Sequence, residues 1–241
     1  RLHARLEGDA LNSHQQERAD EKAGRSPAGA AGGRAREGRL PFSAAVLAGG
    51  RGERLGMDKT TLAIGGVTLL ERTVGFLGGI FPEVLVVVQD EKSVSSRRFG
   101  EGVRVVRDLL PGKGPLGGIY TALCQASHPR VFVMACDMPY PREELVRRLL
   151  SLADEGEAVV PRRGEFIEPL FAVYSRSLRE RIRARLERGL LKIHEFLDTV
   201  EVRYLEEEEI VSCDPDLRSF FNINTREDLR RARRMEGRGA S

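Results

Sequence analysis

The stretch that decides the fold spans residues 44–59 and reads Ala44-Ala45-Val46-Leu47-Ala48-Gly49-Gly50-Arg51-Gly52-Glu53-Arg54-Leu55-Gly56-Met57-Asp58-Lys59. It opens with a short apolar run that is typical of a buried strand, and it continues into a glycine-rich loop. Glycine has no Cβ, so successive backbone N–H groups in such a loop can form a concave anion site. Arg51, Arg54 and Lys59 add positive charge. The pattern predicts a phosphate-binding loop after the first strand of an α/β sheet; the alternative is a surface turn with solvated charges.

Two common phosphate-binding motifs do not match this loop. The P-loop requires Gly directly before Lys, whereas Asp58 precedes Lys59 here. In the dinucleotide fingerprint G-x-G-x-x-G counted from Gly50, the third glycine would fall on Leu55, and Gly56 comes one place late. The loop therefore argues against a P-loop NTPase and against an NAD-binding protein of the usual type.

Composition narrows the class of protein further. The chain has 241 residues, 41% of them hydrophobic, and a formal net charge of +3. This mild basicity suits an anionic small molecule, and no basic, aromatic-rich patch indicates nucleic acid. The three cysteines form no C-x-x-C pair and the four histidines are scattered, which argues against zinc and favours free thiols in a reducing cytoplasm. No apolar run is long enough to span a membrane.

The order of polar and apolar segments predicts one folded domain with two flanking tails. Residues 1–40 are polar, charged and rich in Gly and Ala, so we expect a disordered N-terminal extension without a signal peptide. The folded domain is expected over residues 41–236, and residues 237–241 as a frayed tail.

Within that domain, apolar runs alternate with helical patterns. Strands are predicted at 42–47, 83–89, 103–107, 130–136, 158–162, 169–174 and 200–204. Helices are predicted at 69–77, 119–126, 141–153, 177–188, 192–197 and 225–235, with Thr68 and Thr225 as N-caps. The acidic run 206–209 is expected to be a solvated face. Alternation of this kind predicts an α/β fold: a doubly wound, mostly parallel sheet with helices on both faces, as in Rossmann-like proteins.

Four polar or glycine positions fall at the carboxyl ends of predicted strands. They are Gly49-Gly50, Gln89, Asp108 and Asp137. Ligands of open α/β sheets bind at this edge, so the four positions predict an active site there. Gln89 and Asp108 are candidates for hydrogen bonds to a base or ribose; the alternatives are a strand-end polar residue and a turn residue.

Asp137 is the candidate metal ligand. It follows the apolar run that ends at Cys136, and Mg²⁺ prefers one or two carboxylates together with substrate phosphates; the alternative is a turn or capping Asp. Asn222 and Asn224 flank Ile223, so in a strand both would point to one face and contact ligand or metal. The alternative for this pair is capping of the last helix.

The chemistry that fits these residues is nucleotidyl transfer. An acceptor oxygen attacks the α-phosphorus of a nucleoside triphosphate and pyrophosphate leaves. Such transfer depends on positioning and on neutralising charge. Lys59, Arg54 and Asp137, with Mg²⁺ on Asp137, are the candidate catalytic groups. No Ser/His/Asp or Cys/His nucleophile can be assembled from so few histidines.

The stretch from 44 to 235 resembles the molybdenum cofactor guanylyltransferase family, a branch of the nucleotidyltransferase superfamily. The matching pieces are Leu47-Ala48-Gly49-Gly50, Asp58-Lys59, Asp108, Pro115-Leu116-Gly117-Gly118, Cys136-Asp137-Met138-Pro139-Tyr140 and Phe221-Asn222-Ile223-Asn224-Thr225. The first piece marks the superfamily, and the combination marks the family.

The resemblance implies that GTP and molybdopterin are the substrates and that Mg²⁺ is the cofactor. It implies a GTP site formed by Leu47, Ala48, Gly49, Lys59 and Asp108, with Gly50 in the same loop. It places Asp137 on Mg²⁺ and against the nucleotide, and Asn222 and Asn224 on the pterin side. Proteins that handle molybdopterin or mature molybdoenzymes would be the protein partners.

The chain departs from the family at two points that bear on the substrate. The family often has Asn where Gln89 stands, which affects guanine selection, and the loop from Gly50 to Lys59 is a residue shorter than in some members. The alternatives are a cytidylyltransferase for the same pterin, a sugar-phosphate or lactyl-phosphate nucleotidyltransferase, and a non-catalytic nucleotide-binding subunit.

Overall fold

The computed structural model describes residues 41–48, 61–94 and 97–237. Its central strand is β1 (Ser43–Leu47), which is buried along its whole length. β1 pairs in parallel with β4 (Glu83–Val88) on one side and with β6 (Arg130–Ala135) on the other. β5 (Val103–Arg107) extends this parallel sheet beyond β4. The β-branched sequence of β4 is buried throughout, as expected for a strand covered on both faces.

The second half of the sheet contains an antiparallel strand. β9 (Phe171–Ser175) runs antiparallel to β6 and to β7 (Ala158–Arg163), and β10 (Val202–Leu205) runs parallel to β7 at the edge. β8 (Phe166–Ile167) forms a short hairpin with β7. In the described part of the chain the eight-stranded sheet has the order β10-β7-β9-β6-β1-β4-β5, with β8 on β7. The predicted mostly parallel α/β sheet is therefore confirmed.

Helices cover both faces of the sheet. The first face carries α1 (Leu69–Ile80), α3 (Glu143–Ser151) and α6 (Glu207–Cys213). The second face carries α2 (Gly114–Gln125), α4 (Arg179–Glu187) and α5 (Ile193–Leu197). Alternate strand residues contribute to the two cores, since successive side chains of a strand point to opposite faces. The predicted doubly wound arrangement is confirmed.

Local signals in the sequence account for several helix and strand ends. β2 (Ala63–Ile64) and β3 (Val67–Thr68) form a hairpin around Gly65 and Gly66, whose φ angles are +60° and +82°. The hydroxyl of Thr68 accepts a hydrogen bond from the backbone N–H of Glu71, and the Glu71 carboxylate accepts one from the backbone N–H of Thr68, as predicted. The last helix, α7 (Arg226–Gly237), begins after Thr225, as predicted.

One prediction for local structure was wrong, and two segments have structure that the sequence analysis did not predict. α2 begins at Gly114, five residues before the predicted start. Gly117 and Gly118 lie inside the helix, where they pack closely against Leu110 and Leu47. The acidic run 206–209 is in part the predicted solvated face, since Glu207 and Glu208 are exposed. It also opens α6, where Glu206 and Glu209 form the capping box and Glu209 pairs with Arg148. Asn222 and Asn224 would point to one face only in a strand, and the described chain forms none at 220–224: a 3-10 turn (Arg218–Phe220) leads into an irregular segment.

Some predictions fall outside the described residues. These are the extension 1–40 and the loop positions Gly49, Gly50, Arg54 and Lys59. Among the described helices, none combines the length and the apolar character that crossing a membrane requires. The three cysteines are free thiols, as expected.

Candidate active site

The site lies at the point where the strand order reverses. β1 and β6 are neighbours, and the chain leaves them toward opposite edges of the sheet, which opens a crevice at their carboxyl ends. The strand ends stay together beyond the ladder: Cys136 donates its N–H to the Leu47 carbonyl oxygen at 3.3 Å. Leu47, Ala48 and Asp137 are each less than 10% exposed. The crevice therefore brings together the last described residues before the glycine-rich stretch and the candidate metal ligand.

The Asp137 loop and the segment 219–223 are built as one unit. The carbonyl oxygen of Asp137 accepts a hydrogen bond from the backbone N–H of Ile223 at 3.0 Å. The rings of Tyr140 and Phe221 pack with their centroids 6.0 Å apart. The Tyr140 hydroxyl donates to the carbonyl oxygen of Ala232 in α7 at 2.9 Å, so α7 is fixed to the same unit.

A buried aspartate anchors the start of this segment. Asp214 is fully buried, and its Oδ2 accepts the backbone N–H of Ser219 at 2.8 Å. Ser219 Oγ in turn accepts the N–H of Arg142, which follows the Asp137 loop, at 3.0 Å. Between them Leu217 adopts a left-handed conformation with φ +54°, which is uncommon for a residue with a Cβ. These contacts over-determine the path of the chain into Asn222.

Asn222 and Asn224 lie on the two sides of a buried anchor. Ile223 is fully buried in a small core with Leu69 and with Leu229 of α7, whereas Asn222 is half-buried and Asn224 exposed. Asn222 Nδ2 donates to the Phe220 carbonyl oxygen at 3.4 Å. The backbone N–H of Asn224 donates to Asp228 at 3.1 Å, so the alternative of helix capping is correct for its main chain.

Asp108 follows β5 at the same edge and is nearly buried. Its Oδ1 accepts the N–H of Leu110 at 3.1 Å and lies 2.8 Å from the hydroxyl of Thr121, and that hydroxyl accepts the N–H of Leu109 at 3.0 Å. One carboxylate oxygen of Asp108 thus fixes the loop, which is what the alternative interpretation of Asp108 as a turn residue predicts. Oδ2 receives no hydrogen bond from the described residues, and any contact of Asp108 with a ligand depends on this oxygen.

The first turns of α2 pack closely against both strand ends. A Cβ built on Gly118 would lie 3.1 Å from Leu47 Cδ1, and one on Gly117 would lie 3.2 Å from the Leu110 carbonyl oxygen. None of the described side chains caps α2, so its first N–H groups, with Lys113 as the N-cap residue, have no capping side chain in the part of the chain that the structure describes. Gln89, at the end of β4, is exposed.

Two charged residues that the sequence analysis missed lie on the other half of the edge. Arg163 ends β7, and its guanidinium pairs with Glu168 at 3.1 Å and lies over the Phe220 ring at 5.1 Å from the centroid. Burial raises the pKa of Glu168 above its usual value, and Arg163 only partly offsets this. Neither residue belongs to a recognisable motif. The only sequence feature that could have indicated a hairpin here is Gly164, which lies in the turn between the two strands.

The donor set at the crevice suits a metal that arrives with its ligand. Among the described residues, no group of three or more His, Cys, Asp or Glu side chains could hold a metal ion. Asp137 supplies one carboxylate. Mg²⁺ sites with one or two protein carboxylates are completed by substrate phosphates and water.

Comparison with known proteins gives a consistent result. The family model of the MobA-like NTP transferase domain matches residues 44–202. A relative from Pelotomaculum thermopropionicum with the name "probable molybdenum cofactor guanylyltransferase" is 37% identical over 81% of this chain and 94% of its own length. The molybdenum cofactor guanylyltransferase of Syntrophotalea carbinolica is 34% identical over 80% of this chain and 91% of its own.

A solved structure agrees with these relatives. It is molybdopterin-guanine dinucleotide biosynthesis protein A from Archaeoglobus fulgidus, which is 32% identical with a TM-score of 0.73 over 81% of this chain and 99% of its own. The resemblance seen in the sequence is confirmed. The chain belongs to the MobA-like NTP transferase domain family and is a nucleotidyltransferase.

Proposed function

We propose that the protein transfers GMP from GTP to molybdopterin, which forms the guanine dinucleotide cofactor and releases pyrophosphate. The observation that carries this proposal is the buried Asp137 at the β1–β6 crevice, fixed to the Asn222 segment on one side and to the end of β1 on the other. Relatives with this cofactor transferase name align over about four-fifths of the chain.

The crevice divides the site into two halves in this proposal. The nucleotide half contains Leu47, Ala48, the loop with Gly49, Gly50, Arg54 and Lys59, and the edge residues Gln89 and Asp108. The acceptor half contains Asn222 and Asn224. Asp137 lies between them, where the bond is made.

The reaction is a displacement at the α-phosphorus of GTP. An oxygen of the molybdopterin phosphate forms a new bond to that phosphorus, and the bond to the bridging oxygen of the β-phosphate breaks. Pyrophosphate departs with the electron pair. The fixed Asp137 unit and the cationic loop hold the two reactants at bonding distance, which removes much of the entropic barrier.

Mg²⁺ fits the donor set and would be held by Asp137 together with the triphosphate. When bound it neutralises phosphate charge and stabilises the leaving pyrophosphate. The protein itself fixes the backbone of Asp137 through the hydrogen bond from Ile223 and shields the residue from solvent. Lys59 and Arg54 are proposed to bind the triphosphate as fixed positive charges.

The test is parallel isothermal titration of the protein with GTP, CTP, ATP and UTP in Mg²⁺. We expect GTP to bind and the other three to bind at least tenfold more weakly. A preference for CTP would reassign the protein to cytidylyl transfer, with Gln89 as the first residue to examine. Binding of GTP without pyrophosphate release in the presence of molybdopterin would overturn the transferase proposal and favour a non-catalytic subunit.

A further inference from the structure

The hairpin of β7 and β8 lies at the same edge of the sheet as Asp137. β7 runs antiparallel to β9, which runs antiparallel to β6, so β7 and β6 point the same way. The carboxyl end of β7 is therefore level with the end of β6, and the hairpin begins there. Gly164 closes the turn with φ +57°, which suits the first position of a two-residue hairpin loop.

Phe166 is exposed on this hairpin to an unusual degree. It is 75% exposed, more than any other large hydrophobic residue of the described part of the chain. It pairs in register with Arg163 across the hairpin. Directly opposite residues of an antiparallel pair point to the same face, so Phe166 and Arg163 share one side of the hairpin.

That side faces the acceptor half of the crevice. The Arg163 guanidinium lies over the ring of Phe220, which is two residues before Asn222. The carbonyl oxygen of Phe220 accepts a hydrogen bond from the side-chain amide of Asn222. The ion pair with Glu168 holds Arg163 in this position, with both side chains mostly buried. The hairpin is thus fixed against the Asn222 segment, and its one exposed aromatic ring is on the side of that segment.

We propose that Phe166 is an acceptor-binding residue that stacks on the planar ring system of the pterin. This inference rests on the proposed function, and it adds a residue that determines how tightly the acceptor binds. Single exposed hydrophobic residues are common on protein surfaces. Phe166 differs from them because the Arg163 pair directs its face of the hairpin toward Asn222. A planar heterocycle gains binding energy from an aromatic platform through its π-face.

The first experiment separates acceptor binding from nucleotide binding. Phe166→Ala should raise KM for anaerobically prepared molybdopterin about 5- to 140-fold, which corresponds to the loss of one aromatic stacking contact. KM for GTP and the melting temperature should be unchanged. Phe166→Tyr should restore KM because the ring returns, whereas Phe166→Leu should not.

The second experiment needs no turnover. The chain contains no tryptophan and four tyrosines, so Phe166→Trp introduces a single tryptophan at the proposed platform, and its emission is excited at wavelengths that tyrosine does not absorb. Molybdopterin, or 6-hydroxymethylpterin as a ring-only probe, should quench it with saturation. The control is Glu180→Trp in the first turn of α4, a site with a 69% exposed side chain that follows the far end of β9; it should show only the small, linear loss caused by absorption.

The outcomes distinguish the inference from the proposed function. Wild-type turnover of GTP and molybdopterin with an unchanged KM in Phe166→Ala would overturn the role of Phe166 and leave the function intact. Equal, linear quenching of the two tryptophan variants would also overturn it. Failure of the wild type to join GMP to molybdopterin would overturn the proposed function, and saturable quenching at Phe166→Trp would then still support a pterin platform.

Discussion

Replacing Thr121 with valine tests how the edge of the site is held together. Thr121 is fully buried in α2, and its hydroxyl has three partners: it accepts the Leu109 N–H at 3.0 Å, and it can donate to Asp108 Oδ1 at 2.8 Å or to the Gly117 carbonyl oxygen at 3.1 Å. Valine keeps the shape of the side chain and removes these bonds. The substitution therefore isolates the hydroxyl from packing.

The expected cost follows from what the substitution leaves behind. A buried N–H without an acceptor and a weakened carboxylate each cost about 1–3 kcal/mol in general, and partial solvation near the edge reduces the sum. We expect Thr121→Val to lower the free energy of unfolding by about 2 kcal/mol. For a folded region of this size that corresponds to a fall of about 4–8 °C in the melting temperature.

Thr121→Val and two matched control variants are compared with the wild type by thermal melting and by titration with GTP. Thr121→Ser keeps the hydroxyl and loses one buried methyl, so it should cost only about 1 kcal/mol. Asp108→Asn keeps an oxygen acceptor for the loop and removes the charge at Oδ2. It should change the melting temperature less than Thr121→Val does and weaken GTP binding about tenfold or more.

Two results would refute this reasoning. If Thr121→Val had the same melting temperature as the wild type, the hydroxyl would not fix the loop in solution. If Asp108→Asn lost stability as Thr121→Val does while GTP affinity stayed the same, Asp108 would be a turn residue alone.

The remaining predictions concern the end of the sheet opposite the site. Burial raises the pKa of Glu83, but hydrogen bonds from Ser43 and Ser127 and the Arg104 guanidinium outweigh it, so the pKa lies below its usual value of 4.5. Glu83→Gln should lower the melting temperature at pH 7. The difference from the wild type should shrink as pH falls below about 4.5, because protonation of Glu83 removes the same stabilisation from the wild type. A difference in melting temperature that does not change between pH 7 and pH 3 would contradict this. Gly102→Ala should cost about 2 kcal/mol or more in a denaturant melt, because φ is +83° and its Cβ would lie 2.5 Å from a backbone oxygen, whereas a Cβ on Gly100 meets nothing within 4 Å and serves as the control.

Local sequence patterns were sufficient where local chemistry decides the structure. The β-branched run of β4 predicted a strand buried on both faces, and Thr68 with Glu71 predicted the start of α1. The edge of the sheet could be inferred because parallel strands place their carboxyl ends together. That geometry alone predicts Asp108 and Asp137 on one side of the sheet.

The misplaced elements depend on contacts between distant residues. Gly117 and Gly118 look like loop residues in sequence, but they lie in α2. These helical positions are glycine because a Cβ there would press on the Leu110 carbonyl oxygen or on Leu47. The antiparallel direction of β9 leaves no mark in its own residues, since apolar runs read alike in either direction. Glu209 looked like solvated charge because its partner Arg148 is 61 residues away in sequence.

The acceptor half was the hardest part to predict. Residues 220–224 have the alternation of a strand, and the buried Ile223 between two polar neighbours preserves that alternation without a strand partner. What fixes the segment is the fully buried Asp214 and the backbone bond from Ile223 to Asp137. Thr121 and Arg163 went unnoticed for the same reason: each acts through a partner that only the fold brings close.

The central claim is that a nucleotide is joined to its acceptor beside Asp137, and label transfer tests it most directly. GTP labelled on the α-phosphate is incubated with molybdopterin, Mg²⁺ and either the wild type or Asp137→Asn, which keeps the backbone bond to Ile223. We expect the label to appear in an acceptor-bound product with the wild type, at a rate at least 100-fold lower with Asp137→Asn, and with equal melting temperatures. Equal rates of label transfer by the two proteins would contradict the account.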